Sequence, residues 1–195
     1  MLGTMDPEEL FLDTLQQRLR THVPASLQLP GYRRAAVLVP LILAGRIPEL
    51  LLTERTHTVE THKGQVSFPG GVSDARDSGA DETALRETNE ELGIPSREVT
   101  VVGTLDDLAT PTGFVITPVV GVMRRMPLLA PNGEEVANVF CVPLSFFEEE
   151  RNAASEIRVV HGKEIQVWSY RWGAQTIWGA TAWIIRSLLT TIGRL

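Results

Sequence analysis

Cysteine is nearly absent: Cys141 is the only one in 195 residues. An intrachain disulfide is therefore excluded, and a reducing compartment is the expected setting. Cys141 lies in the apolar run VANVFCVPL and reads as a buried structural thiol. A basic excess is missing too. Eighteen Lys and Arg stand against 24 Asp and Glu, a net charge of −6. Without surplus cations to release counterions, general binding to nucleic acid or to an anionic membrane is not expected. No apolar run is long enough to span a bilayer; the longest, AAVLVPLILAG, is short and interrupted by Pro40. The opening MLGTMDPEELF has no basic segment followed by an apolar core, so no secretory leader is expected. Repeats and low-complexity tracts are absent. The default expectation is a soluble, cytoplasmic protein.

A core is amply provided for. Hydrophobic residues make up 43% of the chain, and its length suggests one domain. Residues 1–30 read as an N-terminal helix and a connecting loop, and 31–195 as the domain proper. The helix covers 6–22, with Asp6-Pro7 as cap and first turn and Leu10, Leu15 and Leu19 on its apolar side. Two aliphatic runs, 35–43 and 49–53, predict strands, and a polar loop follows over 56–78. A helix then begins near Ser78 or Asp81 and stops at Gly93-Ile94-Pro95. Further strands are expected at 99–105, 114–122, 136–142 and 164–170. The segment EEER after Phe147 reads as helix or loop. A last helix is expected over 175–192, with Trp178, Ala182, Ile185 and Leu189 on one stripe. The four tryptophans, at 168, 172, 178 and 183, read mainly as core. This mixture predicts an α+β fold or a mixed-sheet α/β sandwich.

The chemistry gathers in TALRETNEELGI, residues 83–94. On a helix, Glu87, Glu90 and Glu91 share one side. Like charges at such spacings disfavour a helix by roughly 0.2–0.5 kcal/mol per pair. Such a face is either solvated or a platform for a hard divalent cation, which prefers oxygen ligands. Leu85, Thr88 and Leu92 lie nearly opposite, so that side is expected to be buried and the carboxylate side accessible. Arg86 stands beside the glutamates and can orient one of them. Upstream, FPGG places Gly70 and Gly71 where backbone can approach a ligand closely. No H-x-x-H or H-E-x-x-H pattern supports zinc, so His57 and His62 read as polar loop residues.

GGVSDARDSGADETALRETNEELGI resembles a Nudix box, G-x5-E-x7-R-E-U-x-E-E-x-G-U, where U is apolar. Arg86, Glu87, Glu90, Glu91, Gly93 and Ile94 match. Thr88 replaces an apolar residue. The spacing upstream is one residue longer, which puts Asp77 in the place of the first glutamate. LLTERTHTVETHKGQVSFPGG, residues 51–71, resembles the motif ahead of the box in coenzyme A-type Nudix hydrolases. Leu51, Leu52, Thr53, Arg55, Gly64, Phe68, Pro69, Gly70 and Gly71 match it; Glu60 stands where arginine is usual.

The resemblance implies an α/β/α sandwich around a mixed sheet, with a loop–helix–loop catalytic motif. It implies Mg2+- or Mn2+-dependent hydrolysis of the diphosphate of coenzyme A or a derivative, giving 3′,5′-ADP and 4′-phosphopantetheine. Carried over by position, Glu87 and Glu91 are metal ligands. Glu90 is a third ligand or the base, Gly71 offers a carbonyl, and Arg86 holds the glutamates. Arg55 and Lys63 are the expected phosphate cations, with Gly64, Phe68 and Gly70 beside them; Arg33 and Arg34 read as surface charges. Glu134, Glu135 and Glu148–Glu150 read as solvated acidic runs. The expected partner is a small nucleotide, bound by a monomer or homodimer. The alternatives are another nucleoside diphosphate derivative (NADH, ADP-ribose or a dinucleoside polyphosphate) and a non-catalytic nucleotide-binding module.

Overall fold

The computed structural model describes residues 6–45, 47–56, 64–160 and 162–195. Helix α1 (Pro7–Thr21) starts as its sequence demands: the Asp6 carboxylate accepts a hydrogen bond from the Glu8 N–H, and Pro7 takes the first turn. Phe11, Leu12, Leu15 and Leu19 are buried, whereas Leu10 is exposed. The chain continues through β1 (Arg33–Ile42), β2 (Glu49–Arg55), β3 (Val66–Ser67) and β4 (Gly70–Val72) to helix α2 (Ala80–Leu92). Next come β5 (Thr100–Thr104), β6 (Leu108–Ala109), β7 (Phe114–Met123), β8 (Val136–Pro143) and the short α3 (Leu144–Glu148). The last elements are β9 (Ala153–Val160), β10 (Lys163–Trp172), β11 (Gln175–Trp178) and α4 (Ala180–Thr191).

Among the described residues the main sheet runs β3-β2-β1-β7-β5, with β8 also on β2, β4 on β1 and β6 on β7. Only β1 and β7 are parallel; the sheet is therefore mixed. These two strands are near-continuous apolar runs, as buried parallel strands require. Pro40 is tolerated in central β1 for a local reason. β1 pairs with β4 at 35–37 and with β2 at 41–42. Between them the Leu38 N–H bonds to the Pro69 carbonyl, so the nitrogen of residue 40 faces the same gap. There a missing N–H breaks no ladder bond.

Alternation along the strands builds two cores. Val39, Leu41, Leu50, Leu52, Val120 and Val122 face α1 and α4, whereas Ala36, Leu38, Leu51 and Val119 face Ala84 and Leu92 of α2. The result is helix on both faces of a mixed sheet, the expected α/β/α sandwich. A second, three-stranded antiparallel sheet runs β11-β10-β9. No helix among the described residues is long and apolar enough to cross a membrane.

Several elements differ from the sequence reading. The loop expected over 56–78 contains β3 and β4. The helix expected over 175–192 is divided: 175–178 pair with β10, and Gly179 turns the chain at φ 63° into α4. Trp178 thus lies on a strand and is 37% exposed, while Ala182, Ile185 and Leu189 are buried as expected. β9 has no counterpart in the sequence reading. Its alternation is confined to 156–159 and most of its residues are exposed on both faces, so no buried apolar face marks it. Trp168, Trp172 and Trp183 pack against the main core. Arg34 is more than a surface charge: it bonds to Asp107 and Thr117.

Candidate active site

Helix α2 lies across β1 and β4 and presents Glu87 to Gly71 and Glu91 to Gly70. Its cap differs from both expected residues: Gly79 is the N-cap, and Ser78 instead donates its N–H and hydroxyl to the Glu82 carboxylate. Gly93 closes the helix in the left-handed region, φ 70°.

The glutamates occupy three different environments. Glu90 is exposed. Glu87 is half-buried, and its carboxylate fills the space a side chain at residue 71 would need; a Cβ on Gly71 would collide with it. Glu91 is only 5% exposed, which corrects the expectation that the whole carboxylate side stays accessible. Its place between the buried Ala84 and Thr88 and the strand β4 leaves water little access. Its carboxylate accepts the Gly70 N–H at 3.2 Å and lies 3.8 Å from the Arg55 guanidinium. Burial pushes Glu91 up to about 7, against the pull of Gly70 and Arg55. Burial also raises Glu87, against the pull of Arg86.

Arg86 is the hub. Its Nε and Nη2 bond both oxygens of Asp77 at 3.0 and 2.9 Å, Nη1 bonds Glu87 at 2.8 Å, and a longer contact of 3.3 Å reaches Glu90. Nη2 also donates to the Val72 carbonyl. The bidentate pair holds Asp77 well below the usual carboxylate range. Asp77 also accepts from the Thr83 hydroxyl and the Asp74 N–H. The aspartate one residue out of step thus orients the arginine that orients Glu87.

The remaining expected residues divide. Gly64 donates its N–H to the Arg55 carbonyl at 3.2 Å. Gly70 packs so close to Ala36 and Val37 that no side chain fits. Phe68 is buried in the main core, so its ring anchors the strand before the glycines and does not face a ligand. Lys63, with His57, Glu60 and His62, lies outside the described residues. Glu148 and Glu150 pair with Arg194 and Arg186. Glu135 departs from the solvated acidic run that the sequence suggests. It is partly buried, and its charge raises both Glu87 and Glu91. The Asn132 N–H bonds the Glu91 carbonyl, and the Thr56 N–H bonds the Glu135 carbonyl. Only the pairing of β8 with β2 brings this turn to the site, and no local motif signals it.

Among the described residues no three acidic, His or Cys side chains already converge on one point. Glu87 and Glu90 lean to Arg86, and Glu91 to Gly70. The donor set nonetheless fits a hard divalent cation. It is all oxygen, two of its carboxylates are raised by burial, and the bare Gly71 lets the Glu87 carboxylate sit against the backbone.

The family model for the NUDIX domain matches residues 32–172. A protein named Nudix hydrolase NudL from Pectobacterium atrosepticum is 39% identical over 190 residues, 96% of this chain and 98% of its own length. NudL of Photorhabdus laumondii is 42% identical over 160 residues, 80% of this chain and 83% of its own. Among solved structures, the Nudix hydrolase RenU of M. smegmatis aligns over 62% of this chain and 76% of its own, with TM-score 0.51 and 23% identity. A MutT/nudix family protein from Enterococcus faecalis covers 99% of this chain and 81% of its own, with TM-score 0.51 and 14% identity. At those identities the two structures speak for the fold alone. A family match over most of the length, with relatives this similar along nearly the whole chain, shows that the protein belongs to the NUDIX family and is a Nudix hydrolase.

Proposed function

We propose that the protein hydrolyses the diphosphate bond of coenzyme A or a derivative, giving 3′,5′-ADP and 4′-phosphopantetheine, with Mg2+ or Mn2+ bound at α2. The observation that carries the diphosphatase reading is the pair Glu87 and Glu91, pressed against Gly70 and Gly71 with their charge only partly compensated. The choice of coenzyme A is supported by the LLTER…GQVSFPGG stretch over 51–71. Glu87 and Glu91, with the Gly71 carbonyl, would hold the ion. When bound, such an ion neutralises diphosphate charge and lowers the pKa of a water.

The chain's own residues do the rest. Arg86 is a positioning residue that aims Glu87 through its own anchor on Asp77. Glu90, the most exposed of the three, is the proton acceptor for the attacking water. Arg55 and Lys63 bind phosphate oxygens, and Gly64 and Gly70 keep the backbone close. A Nudix hydrolase for another nucleoside diphosphate derivative, such as NADH, ADP-ribose or a dinucleoside polyphosphate, is the second reading, favoured by Glu60 in place of arginine. Incubation with Mg2+ or Mn2+ and each substrate separates them. Release of 3′,5′-ADP from coenzyme A at the highest kcat/KM is the expected result. Turnover of another substrate without it would establish the second reading. Binding without turnover of any would leave a non-catalytic module.

A further inference from the structure

Strand β9 is an edge strand of the second sheet. Among the described residues it pairs only with β10, in an unbroken antiparallel register from Ala153↔Tyr170 to Val160↔Lys163. Its other side presents free backbone donors and acceptors. Ile157 and Val159 are 62% and 69% exposed on one face. Glu156 and Arg158 are exposed on the other, bonded to each other through Arg158 Nε at 2.6 Å. Natural sheets blunt such an edge with lysine, proline, a bulge or an inward charge. AASEIRVV has no lysine and no proline, its pairing shows no bulge, and its two charges, Glu156 and Arg158, are of opposite sign and paired with each other.

The order of charges selects a partner. Place a second β9 antiparallel beside the first, with the two-fold axis at Ile157. Ile157 then faces Ile157 of the second copy, Glu156 faces its Arg158, and Arg158 faces its Glu156. Four charges of alternating sign form one face, and isoleucine meets isoleucine on the other. A two-fold axis makes every contact count twice, as an isologous interface requires. Directly opposed opposite charges and apolar pairs are the units that stabilise paired strands.

We infer that β9 is a homodimerisation edge, joining two three-stranded sheets into one continuous sheet through an antiparallel β9–β9 pair centred on Ile157. A single strand pair buries less than the roughly 800 Å² per partner of a standard interface, so the equilibrium falls in the micromolar range or weaker. The inference is independent of the substrate, because the edge contains none of the residues assigned to the site.

Sedimentation equilibrium on the full chain tests it. The expected mass doubles from 21.5 kDa as concentration rises through that range. E156R and R158E each put like charges opposite one another, so each alone should weaken self-association about tenfold or more. An equimolar mixture of the two variants should restore it, because each strand then meets its complement. Circular dichroism and hydrolase activity of the separate variants report that they are folded. A wild-type chain that stays monomeric at submillimolar concentration would overturn the inference. So would a dimer undiminished in both variants, or folded variants that fail to associate when mixed; an edge reserved for a foreign peptide strand gives the first of these results.

Discussion

At Glu91 burial and charge oppose each other. Its folded pKa is raised to about 7, above the ordinary carboxylate value, so at pH 8 the ionised form is less favoured in the folded chain than in the unfolded one. Replacing Glu91 with Gln keeps the shape and removes the charge. The metal-free variant should gain about 1–3 kcal/mol in urea unfolding at pH 8. The same variant should lose at least about 100-fold in diphosphatase activity, since even residues behind a metal ligand are worth 10–100-fold. A variant that is less stable and fully active would refute the ligand assignment. Cys141 shows the same physics without function. Burial pushes its thiol up to about 11, so it stays protonated and is no nucleophile at neutral pH.

At the scale of elements, local pattern and outcome agree where an element is amphipathic and disagree where it is not. α1 is legible from its cap and apolar spacing, and α2 from its glycine stop and apolar spacing. The segment 175–192 is not, because Trp178 falls in phase with the stripe of α4 while its backbone pairs with Ser169. Gly179 decides between the two readings. Its φ of 63° and ψ of −128° suit glycine alone. Gly179→Ala should therefore destabilise the chain by about 1–3 kcal/mol, the strain of a residue forced into a sparse backbone region. In a continuous helix the same change would stabilise by about 1 kcal/mol, so urea unfolding distinguishes the two cleanly. β9 and the one-residue shift that brings Asp77 to Arg86 also belong to this scale. The first buries neither face, and the second is legible only by counting from the glycines.

Across the whole molecule, Asp107 ties the segment after α1 to the sheet. Its carboxylate accepts from the Leu27 N–H at 2.8 Å, Arg34 at 2.9 Å and the Thr117 hydroxyl at 2.6 Å. Burial pushes its pKa up, but these bonds outweigh burial and leave it lowered. A depressed folded pKa means that the stabilisation is complete above the unfolded value of about 4 and lost as pH falls through the folded one. Asp107→Asn should cost about 1–3 kcal/mol at pH 7, the worth of a charged hydrogen-bond centre. Its stability should fall less steeply than wild type below pH 4, as thermal unfolding at a series of pH values will show. On the proposed site a divalent cation should act on the whole fold as well, since the carboxylates that would hold it are assembled only in the folded chain. At a hundredfold excess over Kd, Mg2+ or Mn2+ should add about 2.7 kcal/mol, and E91Q should abolish the gain.

The amino-acid order by itself determined the glutamate helix, its arginine, the glycine pair before it and the runs that become the central strands. Each depends on neighbours within a few turns or pleats, where periodicity and backbone preference act directly. Tertiary structure decided which glutamate loses water, that Phe68 belongs to the core, and that Glu135 adds its charge to the site from a turn far along the chain. It also decided that β9 forms the edge of the second sheet. Burial and long-range field are properties of what packs against a residue, and strand order, not local sequence, chooses those neighbours.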